Sequence, residues 1–287
     1  MATVTVADAL ADMRRRLSEG GIADTAREAR LLVGGLLKLE PAELISGGAR
    51  ALDKSEQDLL ASAVVRRLNR EPVYRILGSR PFFELVLTLS PDTLEPRPDT
   101  EILVERLIPR AQKIVADRGT CRVIDLGTGT GAICLALVHA VPGVVGTGTD
   151  ISPGALETAR SNARLNGIAD RFDAVESDWF DAIDGTYDII VSNPPYIPSV
   201  VVEDLDDEVR RFDPRRALDG GSDGLDAYRA IASGAAGHLA PSGVVGFEIG
   251  YDQKEPVTAL MSASGFRLLE DARDLGGQDR ALIFARA

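Results

Sequence analysis

Along the first 75 residues, apolar positions recur at helical spacing. Val6, Leu10, Met13 and Leu17 share one face of a predicted helix that Gly20-Gly21 ends. A second helix is predicted from about Asp24 to Lys38, after which Pro41 interrupts the pattern. A third begins near Asp53, whose spacing to Glu56 is that of a capping box, and continues through Leu59, Leu60, Ala63, Val64 and Leu68. Amphipathic helices with no strand between them predict a small helical bundle over residues 1–77. It is either a packing appendage or a surface that receives a protein partner.

Over residues 78–97 the period changes. Phe83, Leu85, Leu87 and Leu89 alternate with other residues and Ser90-Pro91-Asp92 offers a turn, so a short β-hairpin linker is expected. Pro98-Asp99-Thr100 then supplies a helix start, with Ile102, Leu103, Leu107 and Ile108 on its apolar face. From Cys121 onward short apolar strands alternate with helical stretches, at 122–126, 144–149, 172–175, 187–192, 244–249 and 281–285. That alternation predicts an α/β domain over 98–287, with mostly parallel strands joined by crossover helices in a doubly wound sheet. Ligands of such sheets bind beyond the carboxyl ends of the strands, so chemistry is sought there.

Composition narrows the classes. A length of 287 residues suits one large domain plus a small one, and 45% hydrophobic content is that of a globular chain. No apolar run approaches the length of a membrane span, and Met1-Ala2-Thr3-Val4-Thr5 leads into a charged amphipathic stretch rather than a secretory signal. No membrane association and a cytoplasmic location are therefore expected. Cys121 and Cys134 read as small buried hydrophobes; with only His139 and His238 besides, a transition-metal site has little to be built from. A net charge of −12 opposes phosphate backbones, and the basic runs Arg14-Arg15-Arg16 and Arg66-Arg67 with Arg70 read as solvated helix faces. Direct nucleic-acid binding is not expected.

The first strand end reads Val123-Ile124-Asp125-Leu126-Gly127-Thr128-Gly129-Thr130-Gly131, ahead of a helix starting at Ala132. Glycines let the backbone turn sharply and approach a ligand, and the helix start offers unpaired N–H groups, so a small polar ligand is expected on this loop. Gly127, Gly129 and Ala132 also satisfy the dinucleotide fingerprint, which keeps a nicotinamide-linked oxidoreductase open. Asp125 weighs against it. A carboxylate there opposes a pyrophosphate but can accept hydrogen bonds from the ammonium of a ligand such as S-adenosylmethionine. Asp150, nineteen residues after Gly131, ends the second strand where a carboxylate can accept both ribose hydroxyls of an adenosine. Trp179, the only tryptophan, follows the third strand and either covers an adenine face or fills the core.

After the fourth strand comes Asn193-Pro194-Pro195-Tyr196. An amide nitrogen is a poor nucleophile because its lone pair is delocalised into the carbonyl. Two acceptors around its NH₂ group, the Asn193 side-chain oxygen and the Pro194 carbonyl, would hold it and favour charge on nitrogen in the transition state. Tyr196 can pack against the target plane or near a sulfonium, where cation–π attraction is worth about 0.5–2 kcal/mol. In-line placement of the reactants matters more, up to roughly 7–11 kcal/mol in intramolecular models. No general base is required, since the proton can leave after nitrogen is alkylated. An exocyclic NH₂ on adenine or guanine presents the same donor pair, so a nucleic-acid methyltransferase is the runner-up reading; a non-catalytic adaptor is a third.

These residues resemble the HemK/PrmC family of class I methyltransferases. The likeness runs through Glu71-Pro72, Arg97-Pro98-Asp99-Thr100-Glu101, the glycine loop, Asn193-Pro194-Pro195-Tyr196, Ala217-Leu218-Asp219-Gly220-Gly221 with Asp223-Gly224-Leu225, and the segment from Asp274 to Arg280. The resemblance implies methyl transfer from S-adenosylmethionine, leaving S-adenosyl-L-homocysteine, to the glutamine N5 of the Gly-Gly-Gln motif in class-1 peptide-chain release factors. It implies that Gly127 to Gly131, Asp150, Trp179 and Asn193 contact the methyl donor, that Asn193 to Tyr196 hold the glutamine, and that the N-terminal helices help receive the release factor. Two positions depart from the family pattern: Glu95 stands where an apolar residue is commoner, and Asp213-Pro214 replaces the commoner Glu-Pro. The stretch from Ile197 to Asp223 is expected to be a long, acid-rich loop acting as a lid or docking edge.

Overall fold

The computed structural model describes residues 3–287; Met1 and Ala2, which begin the expected helical bundle, lie outside the described residues. The chain divides into two compact units, Met1–Ser79 and Arg80–Ala287.

The first unit is helical: α1 (Val6–Glu19), α2 (Thr25–Leu37), α3 (Pro41–Ser46), α4 (Lys54–Leu68) and α5 (Val73–Leu77). Thr5 and Asp8 cap α1 reciprocally, and Asp53 and Glu56 do the same for α4, satisfying backbone N–H groups that have no partner within the helix. Pro41 opens α3 at its first turn rather than merely interrupting the chain, a position where its missing N–H costs nothing. Met13, Leu17, Leu32, Val33, Leu60 and Val64 make the core, whereas Leu59, placed on the apolar face by its spacing, points to solvent. Within the basic runs Arg15 pairs with Asp12 and Glu19 and Arg66 with Glu71, while Arg67, expected on a solvated face, is buried against Glu28 at 2.7 Å.

After these helices comes a two-stranded sheet, β1 (Ser79–Phe82) and β2 (Leu85–Thr88). Its turn is Phe83-Glu84, seven residues earlier than the Ser90-Pro91-Asp92 turn the sequence suggested, with Phe83 in the left-handed region at φ 54°. The remainder comprises α6 (Glu101–Arg118), β3 (Cys121–Leu126), α7 (Ala132–Ala140), β4 (Val144–Asp150), α8 (Pro153–Leu165), β5 (Phe172–Glu176), β6 (Tyr187–Ser192), α9 (Ser199–Val202), α10 (Asp207–Arg210), α11 (Asp226–His238), β7 (Leu239–Glu248), α12 (Lys254–Ala263), β8 (Phe266–Arg273) and β9 (Asp279–Arg286). Seven strands form one sheet in the order β5-β4-β3-β6-β7-β9-β8. The first five in that order run parallel, and β9 is antiparallel to both β7 and β8. The sequence reading missed β8, whose core-facing residues are few because it is an edge strand.

Side chains along a strand alternate between faces, so Val123 packs in the core with α6 and α7 while Ile124 packs in the core with α11 and α12. The winding reverses at β3: β4 and β5 lie to one side, β6 and β7 to the other. That reversal opens a crevice beyond the carboxyl ends of β3 and β6, where neighbouring connections leave in opposite directions.

Candidate active site

The loop after β3 turns through three residues of positive φ, Gly127, Gly129 and Gly131, at 72°, 54° and 86°. Side chains from several elements hold its shape. The Thr128 hydroxyl donates to Asp125 Oδ2 at 2.8 Å, the Gly129 N–H donates to Asp150 Oδ2 at 3.0 Å, and buried Asn162 on α8 donates to the Thr130 carbonyl at 2.9 Å. Asn162 also bridges to Thr88 of the hairpin, accepting its N–H at 2.8 Å. A β-hairpin that reads as a linker thus helps support the glycine loop.

Beside this loop lies a cavity of about 980 Å³, open mouth included. Asp125, Gly127, Thr128, Gly129 and Thr130 are among its lining residues, as are Asp150, Trp179, Asn193 and Pro195. Gly131, Pro194 and Tyr196 do not line it. Gly131 instead caps the start of α7, Pro194 is buried, and Tyr196 packs against the core formed with α11 and α12 while its carbonyl accepts from Gln253 Nε2 at 3.0 Å. Burial pushes the Tyr196 hydroxyl up to about 12, so it stays protonated at neutral pH.

Asp125 is fully buried. Oδ2 takes the Thr128 hydroxyl and the Cys134 N–H, but Oδ1 is buried with no partner. Burial raises its carboxyl to about 7, against the lowering effect of those two donors. A buried acceptor beside a cavity calls for a donor, and a cationic amino group satisfies it where a pyrophosphate would add repulsion. Asp150 uses its two oxygens on the Ser152 and Gly129 N–H groups at 2.9 and 3.0 Å, which leaves further lone pairs for hydroxyl donors. Burial raises its carboxyl too, against those same backbone bonds. Trp179 sits at φ 49°, an uncommon conformation for a bulky residue, and its indole lies beside Gly127 while packing partly on the core. It therefore fills core and lines the cavity at once. An ammonium-, ribose- and adenine-bearing ligand fits this donor and acceptor set.

Glu248 and Arg216 had no sequence signal of their own, and the sequence singles out Thr100 and Asp92 without placing them at the site. Thr100, just before α6, donates to buried Glu248 of β7 at 2.6 Å, and Asn193 Nδ2 lies 3.4 Å from the Thr100 hydroxyl oxygen. Arg216 reaches over the cavity mouth to Asp92 Oδ1 at 2.7 Å and Ser152 Oγ at 2.9 Å. The two positions that depart from the family pattern meet: the Glu95 N–H donates to Asp213 Oδ1 at 3.2 Å, Asp213 also pairs with Arg97 at 2.8 Å, and Glu95 pairs with Arg80. The stretch 197–223 is accordingly a strap carrying α9 and α10, fastened at several points, with more regular structure than its sequence suggested. Such contacts join residues over a hundred positions apart, which periodicity cannot find. Among the described residues no group of three or more His, Cys, Asp or Glu side chains could hold a metal, and no helix is long and apolar enough to cross a membrane.

This sheet, with the glycine loop at its switch point and the carboxylates of Asp125 and Asp150 lining the cavity beside it, defines a class I S-adenosylmethionine-dependent methyltransferase. The PrmC N-terminal domain family matches residues 8–78 and the methyltransferase small domain family matches residues 97–205. The release factor glutamine methyltransferase of Agrobacterium fabrum is 48% identical over 98% of this chain and 98% of its own length; that of Rhodospirillum rubrum is 45% identical over 94% and 82%. The chain belongs to the release factor glutamine methyltransferase family. A solved methyltransferase from Pyrococcus furiosus, 18% identical, shares the fold with a TM-score of 0.52 over 81% of this chain and 98% of its own. The nicotinamide-linked and adaptor readings give way to this result.

Proposed function

We propose that the protein methylates the side-chain N5 of the glutamine in the Gly-Gly-Gln motif of class-1 peptide-chain release factors, in the cytoplasm, leaving S-adenosyl-L-homocysteine as the second product. The observation that carries the reading is Asn193-Pro194-Pro195-Tyr196 placed at the end of β6 beside the cavity, within a chain 48% identical to a release factor glutamine methyltransferase.

In this reading Asp125 binds the ammonium of the methyl donor, Gly127 to Thr130 pass close along it while Gly131 shapes the turn into α7, Asp150 accepts its ribose hydroxyls, and Trp179 covers its base. S-adenosylmethionine, when bound, supplies a methyl group on a positively charged sulfur. The chain itself supplies position. The Asn193 oxygen and the Pro194 carbonyl accept from the two N–H bonds of the glutamine amide, and both bonds strengthen as charge grows on nitrogen. Pro195 stiffens the segment, and Tyr196, its ring packed on the core and its carbonyl held by Gln253, anchors it. The amide proton leaves to water once nitrogen carries the methyl group. The helices of residues 1–77 receive the release factor, residues 78–97 link them to the catalytic domain over 98–287, and the strap over 197–223 borders the docking site.

Mass analysis of a release factor after incubation with enzyme and S-adenosylmethionine tests the proposal, with RNA and DNA offered in parallel. One added methyl on the tripeptide glutamine supports it. Methyl transfer to a nucleobase amine, or to a different protein residue, would replace it.

A further inference from the structure

We infer that Glu248, acting through Thr100, fixes which end of the Asn193 side-chain amide faces the cavity and so serves as a positioning residue for amide methylation. The inference deepens the proposed function and rests on it.

Glu248 ends β7 at 2% exposure, and Thr100 precedes α6 at 3%. Burial raises the Glu248 carboxyl to about 7, against the Thr100 hydrogen bond, Arg280 and Asn193, which favour its charged form; once ionised it only accepts hydrogen bonds, and a threonine hydroxyl has a single hydrogen to give. That hydrogen is spent on Glu248 Oε2 at 2.6 Å. The Thr100 oxygen is then left with lone pairs alone, so whatever approaches it must donate. Asn193 Nδ2 does so at 3.4 Å, and Asn193 also hydrogen-bonds toward the Glu248 carboxylate itself. Since a carboxamide carries nitrogen and oxygen on opposite arms, committing Nδ2 to this pair turns Oδ1 toward the cavity that Asn193 lines. A donor chain of fixed direction thus runs from Asn193 to Thr100 to Glu248.

The direction matters because the reacting glutamine brings its own NH₂. An oxygen at the Asn193 position attracts it; a second NH₂ there repels it. With glutamine at 248 the chain loses its direction, because a carboxamide can donate to Thr100, freeing the hydroxyl hydrogen for Asn193 Oδ1 and letting the amide turn over. Burial without a full ion pair is otherwise an unfavourable place for a glutamate, and Arg280 is the cation that bears on it.

The test uses the full chain as wild type, Glu248→Gln, Thr100→Val and Thr100→Ser, with release factor as substrate. Glu248→Gln and Thr100→Val are expected to lower kcat about tenfold or more, the scale of losing a charge-linked hydrogen bond. Affinity for S-adenosylmethionine by calorimetry is expected to fall by much less than kcat, and Thr100→Ser, which keeps the hydroxyl, restores most of the rate. The Asn193 side-chain NH₂ signals in NMR, assigned by their loss in Asn193→Asp, are expected to shift in the first two variants without bound ligand. A folded Glu248→Gln or Thr100→Val enzyme with wild-type kcat and unmoved Asn193 signals overturns the inference. Should Glu248→Gln fail to fold, Thr100→Val decides alone. A wild type that leaves release factor glutamine unmethylated defeats the substrate reading instead, and the NMR signals still report on the donor chain.

Discussion

Asp150 Oδ2 accepts the Gly129 backbone N–H at 3.0 Å, so the end of β4 holds the middle of the glycine loop that follows β3. One carboxylate therefore shapes the loop and faces the ligand cavity. Asp150→Ala is expected to weaken S-adenosylmethionine binding at least about tenfold, since hydrogen bonds to a charged group are worth roughly 1.5–3 kcal/mol each. Calorimetry checks it; an affinity within experimental error of wild type would separate Asp150 from the ligand.

Asp125 gives binding a pH dependence. Its carboxyl stands at about 7 in the free protein because it is buried with Oδ1 unpartnered. A cationic ligand favours the ionised form and lowers that value, so binding releases a proton below pH 7. Affinity for S-adenosylmethionine is expected to fall as pH drops from 7 to 6, approaching about tenfold per unit at the limit. Calorimetry in buffers of different ionisation enthalpy reads the proton directly, and a flat profile in Asp125→Asn assigns it.

The same group acts on stability with the opposite sign from an ordinary salt-bridged aspartate. Its carboxyl titrates near 3.8 when unperturbed and at about 7 when folded, so between those values the native state holds more protons than the unfolded one. Stability contributed by this site is fully present below about 4, declines as pH rises through the window, and is lowest above 7. Asp125→Asn is expected to raise Tm at pH 7.5 while abolishing tight S-adenosylmethionine binding. Differential scanning calorimetry of the unliganded proteins at pH 5.5 and 7.5 checks it, and a Tm lowered at pH 7.5 would contradict it.

Much of this architecture was legible because local physics wrote it. Val123 and Ile124 had to face opposite ways on a strand, Asp53 and Glu56 had to cap a helix, and the glycine loop had to precede a helix start. The strand ends led to Asp125, Asp150, Trp179 and Asn193, and the cavity gathers all four. What stayed hidden was set by long-range packing. Thr100 and Glu248 lie 148 positions apart and each looks unremarkable alone: a threonine at a helix start, a glutamate at a strand end. Glu95 and Asp213 read separately as departures from a pattern, yet the backbone of one bonds the side chain of the other. The Phe83-Glu84 turn was missed because Phe83 at positive φ violates the residue preference on which turn prediction relies.

Two glycines of the loop separate binding from folding. Gly129 has no neighbouring atom within 4 Å of where a Cβ would sit, whereas a Cβ at Gly131 would come within 2.8 Å of Leu135 Cδ1. Both have positive φ, so each alanine carries backbone strain of about 1–3 kcal/mol. Gly131→Ala adds a clash inside the packed core and is expected to lower Tm by the larger margin. Gly129→Ala is expected to lose S-adenosylmethionine affinity out of proportion to its Tm change, because its methyl group lies on the cavity wall. Parallel melting and binding curves check the contrast, and equal Tm losses with equal affinities would refute it.

The strap over 197–223 offers a last prediction. Asp213 is almost wholly buried and receives both the Glu95 N–H and the Arg97 guanidinium, and three residues later Arg216 crosses the cavity mouth to Asp92 and Ser152. Removing the Asp213 carboxylate leaves a buried backbone donor and a cation unpaired, a cost of about 1–3 kcal/mol, most of it local to the strap. Asp213→Ala is therefore expected to expose the strap to limited proteolysis between residues 197 and 223 and to raise the KM for S-adenosylmethionine, as Arg216 loses its anchor beside the mouth. Asp213→Glu, which restores the Glu-Pro pair commoner in the family, keeps the charge and is expected to stay close to wild type on both measures. If Asp213→Ala resists proteolysis as wild type does, the strap is held by its other contacts and Asp213 is not its fastening point.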